Sequence, residues 1–426
     1  MINRLKRDSF LTNVITLISG TAISQGILFA ATPFLTRLYT PEDFGYFSLY
    51  AAIVAVISSV ASLKYESAIM LPKEEKDAQA ILFLSVITTF ITAGFVFIII
   101  LLFKNFIILY ITDKVSKFLW IVPLGVLISG LYQVFISYSS RKKYFSSVAA
   151  SRITQSGAAV GVQLSNKGLN VFSQGLIWGK LLGDFFALIL LLFKHIREQT
   201  VQLNEISKKN ILFNASKYKN FPKYQSIAQF LSSLSQNIPF FLLSTLYNPE
   251  IAGFYMLTSR VLSVPAALIS RSTRDVYYQK ASEIFAKGES IKDLFIKTTA
   301  GLAKIGIIPF IIVGIFAQWI FSVFLGPDWI TSGIYAQIII VWSFIGFVNP
   351  PSTMTIYVMG LQKFSLKYES LSVVFRILSI YVSFLIFNNH FITMGFYSLT
   401  GIIFNIILVT YCFKKVKNYK YEHRSN

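Results

Sequence analysis

Charge is what this chain has least of. Of its 426 residues only 14% are Asp, Glu, Lys or Arg, while 54% are hydrophobic; roughly a quarter charged would be usual for a soluble domain. Cysteine is nearly absent. The single Cys412 excludes an internal disulfide and any cysteine-ligated cluster. The three histidines, His195, His390 and His423, fall in predicted loops and the tail and make no metal-ligand set, so no metal or cofactor is expected. Long outer loops are lacking too, the longest spanning about residues 104–116. Without paired carboxylates, a nucleophile–base arrangement or an Asp-rich diphosphate–metal motif, a membrane enzyme has little to work with.

What the chain has is apolar runs of about 20 residues, enough to cross about 30 Å of hydrocarbon at 1.5 Å per residue. Twelve spans are predicted: 12–38, 44–66, 78–103, 117–138, 148–166, 173–194, 223–246, 251–274, 298–325, 331–358, 366–387 and 391–413. The fold class is therefore an all-α polytopic membrane protein. The basic start MINRLKRDSF leads into a segment too long for a signal peptide and reads as a retained first span. The net charge of +20 has no soluble domain to carry it to nucleic acid, so no nucleic-acid partner is expected. It follows instead the excess of Lys and Arg on cytoplasmic loops. Arg4, Lys6, Arg7, Lys73, Lys76, Arg141, Lys142, Lys143 and a tail from Lys414 to Arg424 share one side. The other side holds little beyond Lys104, Lys114, Lys117 and Lys167, which puts both termini in the cytoplasm.

The longest polar stretch splits the chain into 1–194, an N-lobe of six spans; 195–222, a cytoplasmic connector; and 223–426, a C-lobe of six spans. The connector reads as a tether with an interfacial helix on anionic lipid. The halves echo each other: LYTPEDFGYFSL at 38–49 returns as LYNPEIAGFYML at 246–257, with Ser24-Gln25 and Ser235-Gln236 upstream. An internal duplication with six spans per half is a parallel repeat, and in a membrane chain it points to a transporter with its substrate site between the halves. Pro41 and Pro249 suit the first turn of a returning helix, with Glu42 and Glu250 favoured there by the positive helix end. The motif is expected to be architectural. Gln25 and Gln236 are expected to face the cavity or to bond between helices. Pro33, Pro123, Pro239, Pro265, Pro309, Pro350 and Pro351 are predicted within spans, where static curvature is the commoner outcome and a hinge the alternative.

A charge in hydrocarbon costs at least about 2.5 kcal/mol on insertion scales, so each needs a partner, water or a route out. Arg152, Arg271, Arg274, Lys297 and Glu369 are predicted near span ends and can snorkel; the depth of Lys304 is open. Lys180 and Asp184, four apart on one helix face, are expected to pair, as structure before function. Lys64 and Glu66, two apart, are not expected to face each other and should have different partners. Glu66 reads equally as a snorkelling group and a functional one. Arg260 lies about nine residues into its span, roughly 14 Å deep, and Arg376 at similar depth in the eleventh. Arg37, Lys64, Arg260 and Arg376 have no nearby acid in sequence. A basic, water-filled cavity predicts an anionic substrate carrying phosphate, whose oxygens the guanidinium fork matches in pairs.

The run SGTAISQGILFAATPFLTRLYTPEDFGYFSLY followed by SLKYESAIMLPKEEKDA resembles the Wzx-type polysaccharide flippases, which export O-antigen or capsule repeat units. Their MOP superfamily also holds the MATE drug exporters and the lipid II flippase. The resemblance is sharpest over about residues 18–80. It implies two six-helix lobes in a V around a central cavity, in the bacterial plasma (inner) membrane. Its substrate would be an undecaprenyl-diphosphate-linked oligosaccharide moved from the inner to the outer leaflet by alternating access. Membrane lipids, and polysaccharide polymerase machinery, would be its other partners. The lipid-flipping members' embedded basic residues of the first, second and eighth spans fall by position on Arg37, Lys64 and Arg260; Arg376 rests on depth alone. If ion coupling to H⁺ or Na⁺ applies, Glu66 and Asp184 are the carboxylates to test. The alternatives are a polymerase- or ligase-type membrane enzyme, and a MATE-like antiporter, whose cationic drugs would favour embedded acids over bases. The chain lacks the two further spans expected of a typical lipid II flippase.

Overall fold

The computed structural model describes residues 2–110, 116–169, 174–200 and 207–419. Lys114, Lys420, His423 and Arg424 lie outside these, as do the side chains of Arg4, Lys6, Arg7, Lys117, Lys167 and Arg271. Among the described residues every element is a helix. Twelve helices have at least 18 residues: α1 (Ile2–Leu38), α2 (Pro41–Ser58), α3 (Glu75–Tyr110), α4 (Val122–Arg141), α5 (Phe145–Leu169) and α6 (Gly175–Arg197), then α7 (Ser226–Leu246), α8 (Pro249–Ala286), α9 (Lys292–Leu325), α10 (Ile330–Val348), α11 (Gln362–Phe387) and α12 (His390–Lys417). Among the described residues eight segments are long and apolar enough to cross a membrane; α2, α5, α7 and α8 fall outside that set. Those four carry more polar side chains, which in a bilayer must be met by protein or water. The chain is an integral membrane protein.

Helix ends explain several departures from expectation. The second span, expected to 66, stops at Ser58. Leu63 and Lys64 have φ of 51° and 62°, a left-handed conformation that no right-handed helix of L-residues continues through. The tenth, expected to 358, breaks at Asn349, where Pro350 and Pro351 begin a separate short helix, Pro350–Val358. Pro123 likewise starts α4. At a first turn the missing N–H has no intrahelical acceptor to lose, so these three prolines initiate helices and do not bend them. Pro33, Pro239, Pro265 and Pro309 do lie inside helices. Helix α8 runs 38 residues, about 57 Å, well beyond a hydrocarbon core. His195 belongs to the last turn of α6, not to a loop, buried with its ring nitrogens 2.8 Å from Ser139 Oγ and Thr200 Oγ1.

The chain divides into two compact units, residues 1–253 and 254–426. In the first, α5 lies along α6 and α1, α4 packs between α3 and α6, and α7 lies on α2. The α5–α6 seam uses Gly179 and Gly183, four apart. Their faces meet α5 so closely that an added Cβ would stand 2.3 Å from Gln163 Cγ and 2.5 Å from the Gln155 carbonyl, the small-residue packing by which membrane helices gain dispersion contact. The first copy of the duplicated motif and the second as far as Gly253 sit in this unit. Thr40 and Asp43 form a reciprocal capping box before Pro41, and Asn248 Oδ1 accepts from Ile251 N at 3.0 Å before α8. Both copies are helix starts, as the repeat predicts. They also touch: Gly45 abuts the Pro249 carbonyl and Gly253 abuts the Pro41 carbonyl.

The short helix Lys208–Lys217 is tied to the start of α3, Asn214 Nδ2 donating to Asp77 Oδ1 at 3.1 Å and Asn210 Nδ2 to the Lys76 carbonyl at 3.3 Å. Leu212 and Phe213 point outward from it, 60% and 59% exposed, beside Lys208 and Lys209. An apolar edge next to exposed lysines is what an interfacial helix presents to a bilayer surface. In the second unit α9 packs on α10, α11 on α12, and α10 on α12.

Candidate functional site

Three side chains from three helices meet at Asp184. Lys180, one turn earlier on α6, pairs with it as its spacing predicts. Ser129 of α4 donates to Oδ2 at 2.6 Å, and Gln155 of α5 donates to Oδ1 at 2.7 Å. The carboxylate is only 2% exposed and has donors on both oxygens. Such a group ties helices together, because one buried carboxyl group holds side chains of α4, α5 and α6 at once.

Lys64 and Glu66 do meet, contrary to the helical rule. Nζ lies 2.7 Å from Oε1, with the side chains 14% and 6% exposed, and Ser62 Oγ donates to Oε2. The rule assumes helical geometry, and Lys64 stands in the left-handed region immediately before the short helix Tyr65–Ala68, which swings its side chain round to Glu66. The loop is held from outside by Arg141, whose Nη1 donates to the Ile69 and Pro72 carbonyls at 2.9 and 3.0 Å while Nε reaches Glu75 at 3.2 Å. Lys142 also pairs with Glu75, at 2.7 Å. Read from sequence, Arg141 and Lys142 are topogenic charges only. The signal that could have found the lock is the acidic pair Glu74-Glu75 in a loop predicted on the same side.

Because Lys64 and Glu66 neutralise each other, Lys64→Ala strands a buried carboxylate. Removing one partner of a buried pair costs about 3–5 kcal/mol, so this variant is expected to melt well below the wild type in detergent. Lys64→Met combined with Glu66→Gln should recover most of the loss. Recovery of the fold without recovery of export would mean that the Lys64 charge acts on substrate as well as on Glu66.

Arg37 closes α1. Its Nη1 donates to the Pro33 carbonyl at 2.7 Å, at the helix end where cations are favoured, and the residue remains exposed. Arg260 lies on α8 and Arg376 on α11, both half-buried in the second unit. Arg376 has more around it than sequence suggested. Its guanidinium carbon stands 5.8 Å from the centroid of the Trp342 ring, within cation–π range. Glu369, two turns earlier on α11, is close enough for electrostatic attraction, so Arg376 does have an acid nearby. The structure thus resolves the sequence-selected residues into two internal ion pairs in the first unit, a capping Arg37, and two arginines in the second. Gln236 is exposed and donates within its own helix to the Ser232 carbonyl.

Residues 34–334 match the family described as polysaccharide biosynthesis protein, well over half of the chain. The chain belongs to that family. No curated protein matches it in sequence. Solved transporters do match this polysaccharide biosynthesis protein in structure. A multidrug resistance MATE family transporter of the MOP superfamily, in an inward-facing conformation, is similar with a TM-score of 0.64 at 13% identity, covering 96% of each chain. A MOP superfamily transporter from Pyrococcus furiosus, described as having a binding pocket of reverse polarity, gives 0.58 at 11% identity over 96% of each chain. A Vibrio cholerae MATE transporter gives 0.57 at 11% identity over 96% of each. The polysaccharide biosynthesis protein has the MATE/MOP transporter fold.

Proposed function

We propose that this protein is a flippase that carries an undecaprenyl-diphosphate-linked oligosaccharide repeat unit from the inner to the outer leaflet of a bacterial plasma membrane. One observation carries the reading: a chain with a transporter fold falls in a family of polysaccharide biosynthesis. Membership of that family supports a saccharide cargo, and the fold supports its transport. The embedded basic residues support the same cargo, since guanidinium groups suit a diphosphate better than a cationic drug. In this reading Arg37, Arg260 and Arg376 provide positive potential for the head group, Lys64 adds to it only when drawn away from Glu66, and the protein presents the head group alternately to the two leaflets with both termini in the cytoplasm. Bound cargo must stabilise one conformation over the other, or no shift between them follows.

The experiment is deletion of the gene, followed by extraction of lipid-linked saccharides and assay of surface polysaccharide. Loss of surface polymer, with single lipid-linked units accumulating out of reach of external lectin, is the expected result. Units that accumulate already facing outward would indicate a polymerase, and unchanged glycan with new drug sensitivity would indicate an antiporter. Either would overturn the proposal. Complementation with Arg260→Ala is expected to fail at normal membrane levels of protein. Arg260→Lys should restore less than wild type, because an ammonium keeps the charge without the two-pronged fork.

A further inference from the structure

The second unit contains a cavity of about 320 Å³ between α8 and α10. Its α8 wall is one helix face, with Tyr255, Ser259, Ser263 and Ser270 among its residues; Trp342 and Ser343 come from α10. Several helical serines elsewhere in the chain, Ser48, Ser85, Ser140 and Ser379 among them, turn their hydroxyls back onto a carbonyl three or four residues earlier. Ser263 and Ser343 do not. Among the described residues neither hydroxyl has a protein partner, although both line the cavity. Tyr255, by contrast, is engaged with Ser259 and Tyr397. Beside Trp342 stands Arg376, whose Nε is buried without a hydrogen-bond partner.

Free hydroxyls, an indole and a guanidinium with an unused donor make a particular combination. Ser263 is exposed and Ser343 half-buried, so both hydroxyls are open to a ligand, while the buried Arg376 Nε still lacks an acceptor. A hydrocarbon chain would leave the two serines dry and unpaired. A cationic amphiphile would meet Arg376. A sugar ring offers hydroxyls to Ser263 and Ser343 and an apolar C–H face to Trp342 and the aliphatic wall. The volume is at the small end of the roughly 300–1,000 Å³ of small-molecule pockets, room for one ring and not for a whole oligosaccharide.

We propose that this cavity holds one glycosyl residue of the cargo, with Ser263 and Ser343 as its hydrogen-bonding groups and Trp342 as its platform. The inference rests on the flippase reading and adds a saccharide subsite separate from the charges assigned to the diphosphate. The test uses the full chain in detergent and two probes: undecaprenyl diphosphate, and the lipid-linked saccharide fraction extracted from the protein's own host after deletion of the gene. Binding is followed by tryptophan fluorescence. The double variant Ser263→Ala/Ser343→Ala loses no protein hydrogen bond, so it should melt as the wild type does. It is expected to bind the glycosylated probe about tenfold more weakly, the effect of two lost hydrogen bonds, and undecaprenyl diphosphate unchanged. Equal weakening for both probes would make the cavity a site for the lipid and overturn the proposal; so would wild-type affinity for the glycosylated probe. Failure of the wild type to bind either probe would sink the flippase reading itself.

Discussion

Gly45→Ala is expected to deplete folded protein from the membrane. A Cβ at Gly45 would stand 1.8 Å from the Pro249 carbonyl oxygen, and one at Gly253 would stand 2.0 Å from that of Pro41. Those neighbours are backbone atoms at the starts of α8 and α2, so no side chain can rotate away to make room. Relief requires the two helix starts to separate. Overpacking by a methyl group costs typically 1–3 kcal/mol and more where backbone must move, so a loss of about 3 kcal/mol or more is expected. That is a large share of the roughly 5–15 kcal/mol by which proteins are stable. Gly253→Ala should behave alike. Gly94→Ala and Gly157→Ala, with nothing within 4 Å of the added atom, are the controls and should be neutral or slightly stabilising, since alanine favours helix. Melting of the four variants in detergent distinguishes them. A wild-type melt for Gly45→Ala would mean that the two repeat copies do not pack this closely.

Asp184→Ala should be the most damaging of the charge substitutions in the first unit. It removes the acceptor for Lys180, Ser129 and Gln155 at once. Breaking a buried pair costs about 3–5 kcal/mol, and the low end of that range is expected because Lys180 is 36% exposed and reaches water. Asp184→Asn keeps one acceptor oxygen and should lose less. If Asp184 serves only to join α4, α5 and α6, export per folded molecule stays at the wild-type level in Asp184→Asn while the melting temperature falls. Export abolished at an unchanged melting temperature would instead assign Asp184 to ion coupling. Melting and export measured on the same preparations decide between the two roles.

The legible parts of this protein were those that depend on periodicity and local rules. Apolar run length announced twelve long helices. The spacing of Lys180 and Asp184 announced their pair, because four residues is one helical turn. The Pro-Glu of each repeat copy announced a helix start. Where local rules broke, the reading broke with them. Lys64 and Glu66 were separated on the assumption of a helix that in fact ends at Ser58. Pro123, Pro350 and Pro351 were placed inside spans because the hydropathy on either side of them is continuous, while the backbone takes each as a boundary. Gly179 and Gly183 passed unremarked, although their spacing of four is visible, because only the partner helix α5 makes it meaningful.

By itself the sequence determined the class of the molecule: membrane-embedded, helical, internally duplicated and rich in cationic groups where charge is expensive. These follow from composition and repetition, and neither needs a partner in space. Tertiary structure alone decided which charges are already spent. It paired Lys64 with Glu66, gathered Ser129 and Gln155 on Asp184, locked the Lys64 loop with Arg141, set Arg376 against Trp342, and brought the two repeat glycines onto each other's prolines. Lys64 reaches Glu66 through the left-handed backbone at its own position, and the physical reason is common to the other four. A hydrogen bond, an ion pair or a van der Waals contact acts over a few ångströms, and residues tens of positions apart reach that distance only when the helices carrying them pack.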